Sequence, residues 1–142
     1  MRAARLTEPA PVSNKPLHIL DVPRAEPGPG EILIRVAACA VCRTDLQLAE
    51  GDLEARRLPI TPGHQAVGAV AAVGSGVQGW TAGDRAGLAW LGGACDRCEF
   101  CIEGRENLCQ AARFTGWDRD GGVAEDGVAG ARVAPPGPPA VA

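Results

Sequence analysis

The chain has 142 residues, a formal net charge of −3 and a pI near 5.4. That charge excludes a basic footprint for nucleic acid or an anionic membrane surface. The start, Met1-Arg2-Ala3-Ala4-Arg5-Leu6, has no apolar stretch of signal-peptide length, and no later run approaches the ~20 apolar residues of a membrane span, so a cytoplasmic protein without nucleic-acid or membrane partners is expected.

A single domain of this length buries roughly 68% of its unfolded surface, so a bound metal would stiffen a lobe rather than replace a core. The 19 glycines and 12 prolines cut the sequence into short pieces rich in valine, isoleucine and alanine, which predicts a mainly β domain. In chain order, strands are expected at 17–22 and 31–38, the second entered through the turn Pro27-Gly28-Pro29-Gly30. A short helix is expected over 44–50, opening after Cys42, burying Leu46, Leu48 and Ala49 and ending at Gly51. Further strands are expected at 66–73, 85–90 and 122–128. Gly74-Ser75-Gly76-Val77-Gln78-Gly79 formally matches a dinucleotide fingerprint, but Trp80-Thr81-Ala82-Gly83-Asp84 continues as a turn. No helix start is offered to a pyrophosphate there. Residues 1–134 read as the domain and the proline-rich 135–142 as a tail or linker.

Four cysteines, Cys95, Cys98, Cys101 and Cys109, follow the pattern C-x2-C-x2-C-x7-C in a loop punctuated by Gly92, Gly93 and Gly104. In a reducing compartment this spacing points to metal rather than disulfides. An iron–sulfur cluster is a poor match, because a ferredoxin run has three residues before its last cysteine and a proline after it. Zinc takes four thiolates tetrahedrally and then has no open position, so the site is structural, within a lobe of about 92–113. Arg97, Arg105 and Arg113 lie near enough in sequence to offset the charge of the thiolates, and are equally well read as solvated surface residues.

Cys39 and Cys42 form another C-x2-C without a second pair, and Cys39 reads as a small buried hydrophobe. Cys42 and His64 stand 22 positions apart at two chain corners. By themselves they are two zinc-type ligands short of a site, or an ordinary core thiol and a turn histidine.

Several motifs taken in order resemble the catalytic domain of zinc-dependent medium-chain alcohol dehydrogenases, over about 27–122. Val41-Cys42-Arg43-Thr44-Asp45-Leu46 is similar to that family's first zinc-ligand segment, and Gly63-His64-Gln65-Ala66-Val67-Gly68 to its histidine signature. Gly83-Asp84-Arg85 resembles the turn before the lobe, and Trp90-Leu91-Gly92-Gly93-Ala94-Cys95 the entry to it. The resemblance implies a GroES-like, partly open β-barrel with a few short helices and a zinc-stapled cysteine lobe. It also implies a chain that ends before the nucleotide-binding domain.

By the same resemblance Cys42 and His64 are ligands of a catalytic zinc whose third ligand lies outside this sequence, alcohol dehydrogenases being a type case of a Cys2His site. Thr44 places its hydroxyl on the substrate oxygen, and Asp45 holds His64 in the correct tautomer. Arg43 reaches a coenzyme phosphate, or is a surface arginine. Trp90 narrows a pocket for a small alcohol or aldehyde, or is plain core. The cofactors implied are structural and catalytic zinc, with NAD or NADP only when a nucleotide-binding domain is joined, and homo-oligomer formation is open for a full-length form. The rival reading is a catalytically inactive zinc-stapled fragment or binding module.

Three features depart from the family pattern. Gln65 stands where a glutamate is usual, and Gln47 stands at a relay position that is commonly histidine and cannot pass a proton near neutral pH. Val123 and Asp126 stand where tyrosines are common, and Asp126 in an apolar strand is costly unless exposed or paired.

Overall fold

The computed structural model of the chain describes residues 1–137. Its strands are β1 (Arg2–Leu6), β2 (Leu17–Asp21), β3 (Glu31–Cys39), β4 (Ala66–Val73), β5 (Arg85–Leu88), β6 (Leu91–Gly93), β7 (Arg113–Phe114) and β8 (Asp126–Gly130), with helices α1 (Arg43–Glu50) and α2 (Glu99–Ile102). Four strands form one antiparallel sheet in the order β5-β4-β3-β8, and β1-β2 and β6-β7 form two small antiparallel pairs. The register of β3 on β4 slips at Leu33/Ile34 and again between Val36 and Ala38. Each slip adds local twist, and this curls the sheet around its apolar face.

That face carries Ile32, Ile34, Ala66, Val70, Ala86, Leu88 and Ala129, which form one cluster. A second cluster, Leu6, Leu48 and Ile60, ties β1 and the inner face of α1 to the loop before β4, where Leu6 and Ile60 exchange backbone hydrogen bonds. This second cluster fixes the height of α1 over the sheet, and so fixes Cys42 at its head. Leu48 and Ala49 are buried as expected, whereas Leu46 is exposed on the far side of the helix. Gly51 ends α1 in the left-handed conformation, φ 90°, which costs glycine no Cβ clash.

The strand expected at 122–128 runs instead over Asp126–Gly130. The backbone of 121–124 is taken by other partners: Gly121 N donates to Thr61 O, Gly122 N to Gly63 O and Val123 N to Pro62 O, while Val123 O accepts from Ala4 N. The Gly74–Gly79 stretch forms turns and no helix follows it. Pro136 bridges to Ala86 and Gly137 N donates to Arg85 O, so the start of the proline-rich segment lies along the free edge of β5. The remainder of that segment, 138–142, lies outside the described residues. Among the described residues no helix is long and apolar enough to cross a membrane.

Asp126 is buried and paired. Its two carboxylate oxygens accept from Arg24 Nε and Nη2 at 2.9 and 3.0 Å, a two-pronged fork. Arg24→Ala strands this carboxylate in the sheet and is expected to cost about 2 kcal/mol. The loss should appear as a lower urea midpoint at unchanged slope, and a single-pronged Arg24→Lys should recover part of it.

Candidate metal centres

The cysteine lobe is built from very short elements. Cys95 follows β6, Cys98 caps the single turn α2, Cys101 lies within that turn, and Cys109 ends the 3-10 turn Glu106–Leu108. Such turns have no independent stability, so what they share is the point where their side chains converge. The four Sγ atoms lie within 4.8 Å of one another, with Cys98–Cys101 at 3.5 Å and Cys95–Cys101 at 3.9 Å. Zinc–thiolate bonds of about 2.3 Å in a tetrahedron put sulfurs about 3.8 Å apart, so the donor set fits zinc.

Backbone N–H groups of Arg97 and Cys98 hold the Cys95 thiol down at about 6, whereas burial, then the Cys98 thiol, pushes Cys101 up to about 12. Thiols packed this closely cannot all ionise without a cation among them.

Of the three arginines expected near this charge, Arg105 pairs with Glu103 and lies over the Phe100 ring, 5.1 Å from its centroid. A residue not singled out in the sequence, Arg132, reaches Asp96 at 3.5 Å and Glu106 at 3.6 Å and straps the lobe to the end of β8.

The second constellation is assembled by α1 and the loop before β4. Cys42 is the N-cap of α1, and its Sγ accepts the Thr44 N–H at 3.2 Å while Asp45 reaches back to the Cys42 N–H at 2.9 Å. This is a capping box with a thiol in the place of a hydroxyl, so C-x-x-D in the sequence carries a structural signal as well as a chemical one. The other oxygen of Asp45 accepts the buried Gly63 N–H at 2.9 Å and lies 3.4 Å from His64 Nδ1.

One carboxylate therefore fixes the backbone beside Cys42, the backbone beside His64 and the outward nitrogen of the imidazole. His64 Nε2 is left facing Cys42 Sγ at 3.2 Å. Two ligands of a tetrahedral zinc lie about 3.5 Å apart for one sulfur and one nitrogen, so this pair fits too. Asp45 is within 4.8 Å of both but is committed to these contacts and acts as their orienter. Asp45→Ala leaves two N–H groups without acceptors and frees the ring. In a protein completed by a nucleotide-binding domain and holding two zincs, the zinc at Cys42 and His64 is expected to bind about 10- to 100-fold more weakly, as read by chelator competition, with lobe zinc retained.

Beside the pair, Trp90 meets His64 edge to face at 4.9 Å. The sequence does not reveal what holds Trp90. Phe114 and Trp117, brought back by the β6-β7 pairing, stack on it at 4.9 and 5.8 Å. Arg56 covers Trp117 with its guanidinium 3.6 Å from the ring centroid and pairs with Asp118 at 2.8 Å. The only available hint is that two of so few aromatics, 4% of the chain, follow directly after the lobe. Thr44 is half-buried in the first turn of α1, Arg43 is exposed on it, Gln47 lies in the next turn and Gln65 is exposed beside His64.

Residues 28–138 match the family described as alcohol dehydrogenase GroES-like domain. The chain is 45% identical over 130 residues to the probable alcohol dehydrogenase AdhA of Mycobacterium tuberculosis, covering 88% of this chain and 38% of that protein. It is 44% identical over 112 residues to an alcohol dehydrogenase of Geobacillus stearothermophilus, covering 78% and 33%. Among solved structures, the cobalt- and zinc-bound thermostable alcohol dehydrogenase from Pyrobaculum aerophilum superposes with a TM-score of 0.85 at 31% identity, covering 96% of this chain and 40% of that one. The alcohol dehydrogenase from Aeropyrum pernix gives 0.83 at 35%, covering 100% and 41%. The chain thus spans little more than a third of the length of these relatives.

Proposed function

The chain belongs to the alcohol dehydrogenase GroES-like domain family, and on that premise we propose that it is the zinc-binding catalytic domain of an enzyme oxidising a small alcohol to an aldehyde or ketone. Hydride passes to NAD or NADP held by a joined nucleotide-binding domain. The observation that carries this reading is the 3.2 Å approach of Cys42 Sγ to His64 Nε2, with Asp45 bracing both.

Cys42 and His64 are the protein ligands of the catalytic zinc supplied by this chain, and Cys95, Cys98, Cys101 and Cys109 hold the structural one. Zinc at the first site supplies Lewis acidity that makes an alcohol proton easier to remove. Thr44, its backbone N–H anchored on Cys42, receives that proton at Oγ1 and passes it on. Gln47 has no titratable group, so the relay leaves the pocket through solvent rather than through the next helical turn. Trp90, immobilised by Phe114 and Trp117, limits the width of the substrate and excludes water from the imidazole edge. Arg43, exposed on α1, faces solvent where a coenzyme phosphate can pair with its fork.

The neutral Gln47 and Gln65 favour a second reading, a zinc-stapled module without catalysis. Metal analysis and turnover separate the two. The 142-residue chain by itself is expected to retain one zinc through gel filtration and to give no NAD(P)-dependent oxidation of ethanol or butanol. Fused to the nucleotide-binding domain of the Geobacillus relative, it is expected to hold two zincs and turn over, with Thr44→Val lowering kcat about 100-fold. A folded fusion holding two zincs but inactive would favour the second reading.

A further inference from the structure

Behind the loop that carries His64, a cavity of about 480 Å³ opens between the β1-β2 pair and the segment 119–128. None of the six candidate metal ligands lines it, and it touches their loop only through Thr61 and Gly121. Its polar lining is Arg5, Arg24, Arg57, Thr61, Arg119, Asp120 and Asp126, together with the Met1 ammonium, which donates to Val22 O at 2.8 Å.

The charges do not balance. Arg24 is matched by Asp126, and Arg119 by Glu31 at 2.9 Å. Arg5 and Arg57 share one carboxylate, Asp120, at 2.7 and 3.5 Å. Asp120 is further drawn on by the Thr61 N–H, which donates to the same oxygen as Arg5 at 2.9 Å. Arg5 is also held by Thr61 Oγ1 at 3.2 Å and Pro59 O at 2.9 Å, so with four guanidiniums and the Met1 ammonium against three carboxylates the excess positive charge sits at Arg57 and Met1.

The side chain of Arg57 is 46% exposed at the mouth and meets Asp120 only at 3.5 Å, which leaves its fork free for a second anion. The rest of the wall, including Val22, Ala124 and Val128, is apolar.

We propose that this cavity binds a small organic anion, a carboxylate or phosphate head on a short apolar body. The head pairs with Arg57 at the mouth, and the body lies on Val22 and Val128. Guanidinium forks suit both kinds of head, and the volume suits a small ligand rather than a peptide.

The test is a titration of the full 142-residue, zinc-loaded chain followed by amide NMR. The probes are butyrate, butyl phosphate, inorganic phosphate and neutral butanol. Butyrate or butyl phosphate is expected to saturate with a Kd below about 1 mM, shifting amides of 22–25 and 119–128. The tighter of the two identifies the head group. Inorganic phosphate should bind at least about tenfold more weakly, for want of the apolar body. Arg57→Ala, a half-exposed side chain whose loss leaves the fold intact by amide dispersion and zinc content, should weaken binding at least about tenfold. Arg85→Ala, an exposed arginine elsewhere, should leave it unchanged. Shifts that stay linear to about 10 mM, butanol binding as well as butyrate, or equal losses in Arg57→Ala and Arg85→Ala would each overturn the assignment.

Discussion

Replacing Cys101 with serine is expected to strip the lobe of its zinc and unfold it locally while the sheet persists. Structural zinc contributes about 10–16 kcal/mol in small domains, so one of four thiolates carries about 2.5–4 kcal/mol, a loss of about 100- to 1000-fold in affinity. Cys101 is the most buried of the four, at 1% exposed, and a serine there also leaves a hydroxyl among sulfurs with nothing suited to bond it.

Because α2 is four residues long and the turn before Cys109 three, a few local backbone hydrogen bonds and the Arg132 strap are too little to hold these turns together without a metal. Hydrogen exchange should therefore lose protection across about 94–112 and keep it in β3 and β4. Chelation of the unsubstituted chain should reproduce the same pattern. Cys39→Ser, outside the cluster, should leave metal content unchanged, and retention of zinc by Cys101→Ser would refute the four-thiolate site.

Gly121→Ala is expected to act on the other centre from outside it. A Cβ at this position would lie 2.1 Å from Gly63 O and 2.6 Å from Pro62 O, so the backbone preceding His64 must move. That backbone is also where Asp45 grips the Gly63 N–H and where Gly121 itself donates to Thr61 O. Forcing a methyl group into such a contact costs about 3 kcal/mol and shifts His64 relative to Cys42. The expected result is a lower urea midpoint of the chain and, in the two-zinc fusion, at least about tenfold weaker zinc at Cys42 and His64 with an undisturbed lobe. A variant of wild-type stability would show that the loop has slack the close packing denies. Gly74→Ala serves as a comparison: its Cβ would meet Gly28 O at 1.9 Å beyond the opposite end of β4 from His64, so it should destabilise the fold without singling out this site.

The helix at Arg43–Glu50 was legible in the sequence because its punctuation is local: a polar first turn, Leu48 and Ala49 on one face, and a glycine to stop it. The strand at Ala66–Val73 was legible because it is one unbroken apolar run between turns. The first strand, Arg2–Leu6, carries no such signal. It is a strand because it pairs along its length with β2, while Leu6 and Ala4 also bond to Ile60 and Val123, more than 50 residues away. The final strand begins four residues later than its apolar run predicts for the same reason, since 121–124 bonds to β1 and the 61–63 loop rather than to β3.

By itself the sequence determined the four-cysteine lobe, because metal spacing is a local property of a short loop, and it offered a thiol at Cys42 and an imidazole at His64 without joining them. Only the tertiary structure decided that those two side chains meet at 3.2 Å, that Asp45 braces them through Gly63, that Trp90 is pinned by Phe114 and Trp117, and that buried Asp126 is answered by Arg24. Each of these joins residues distant along the chain. Such contacts form only when a curled sheet and two apolar clusters have already repaid the entropy of closing the loops between them.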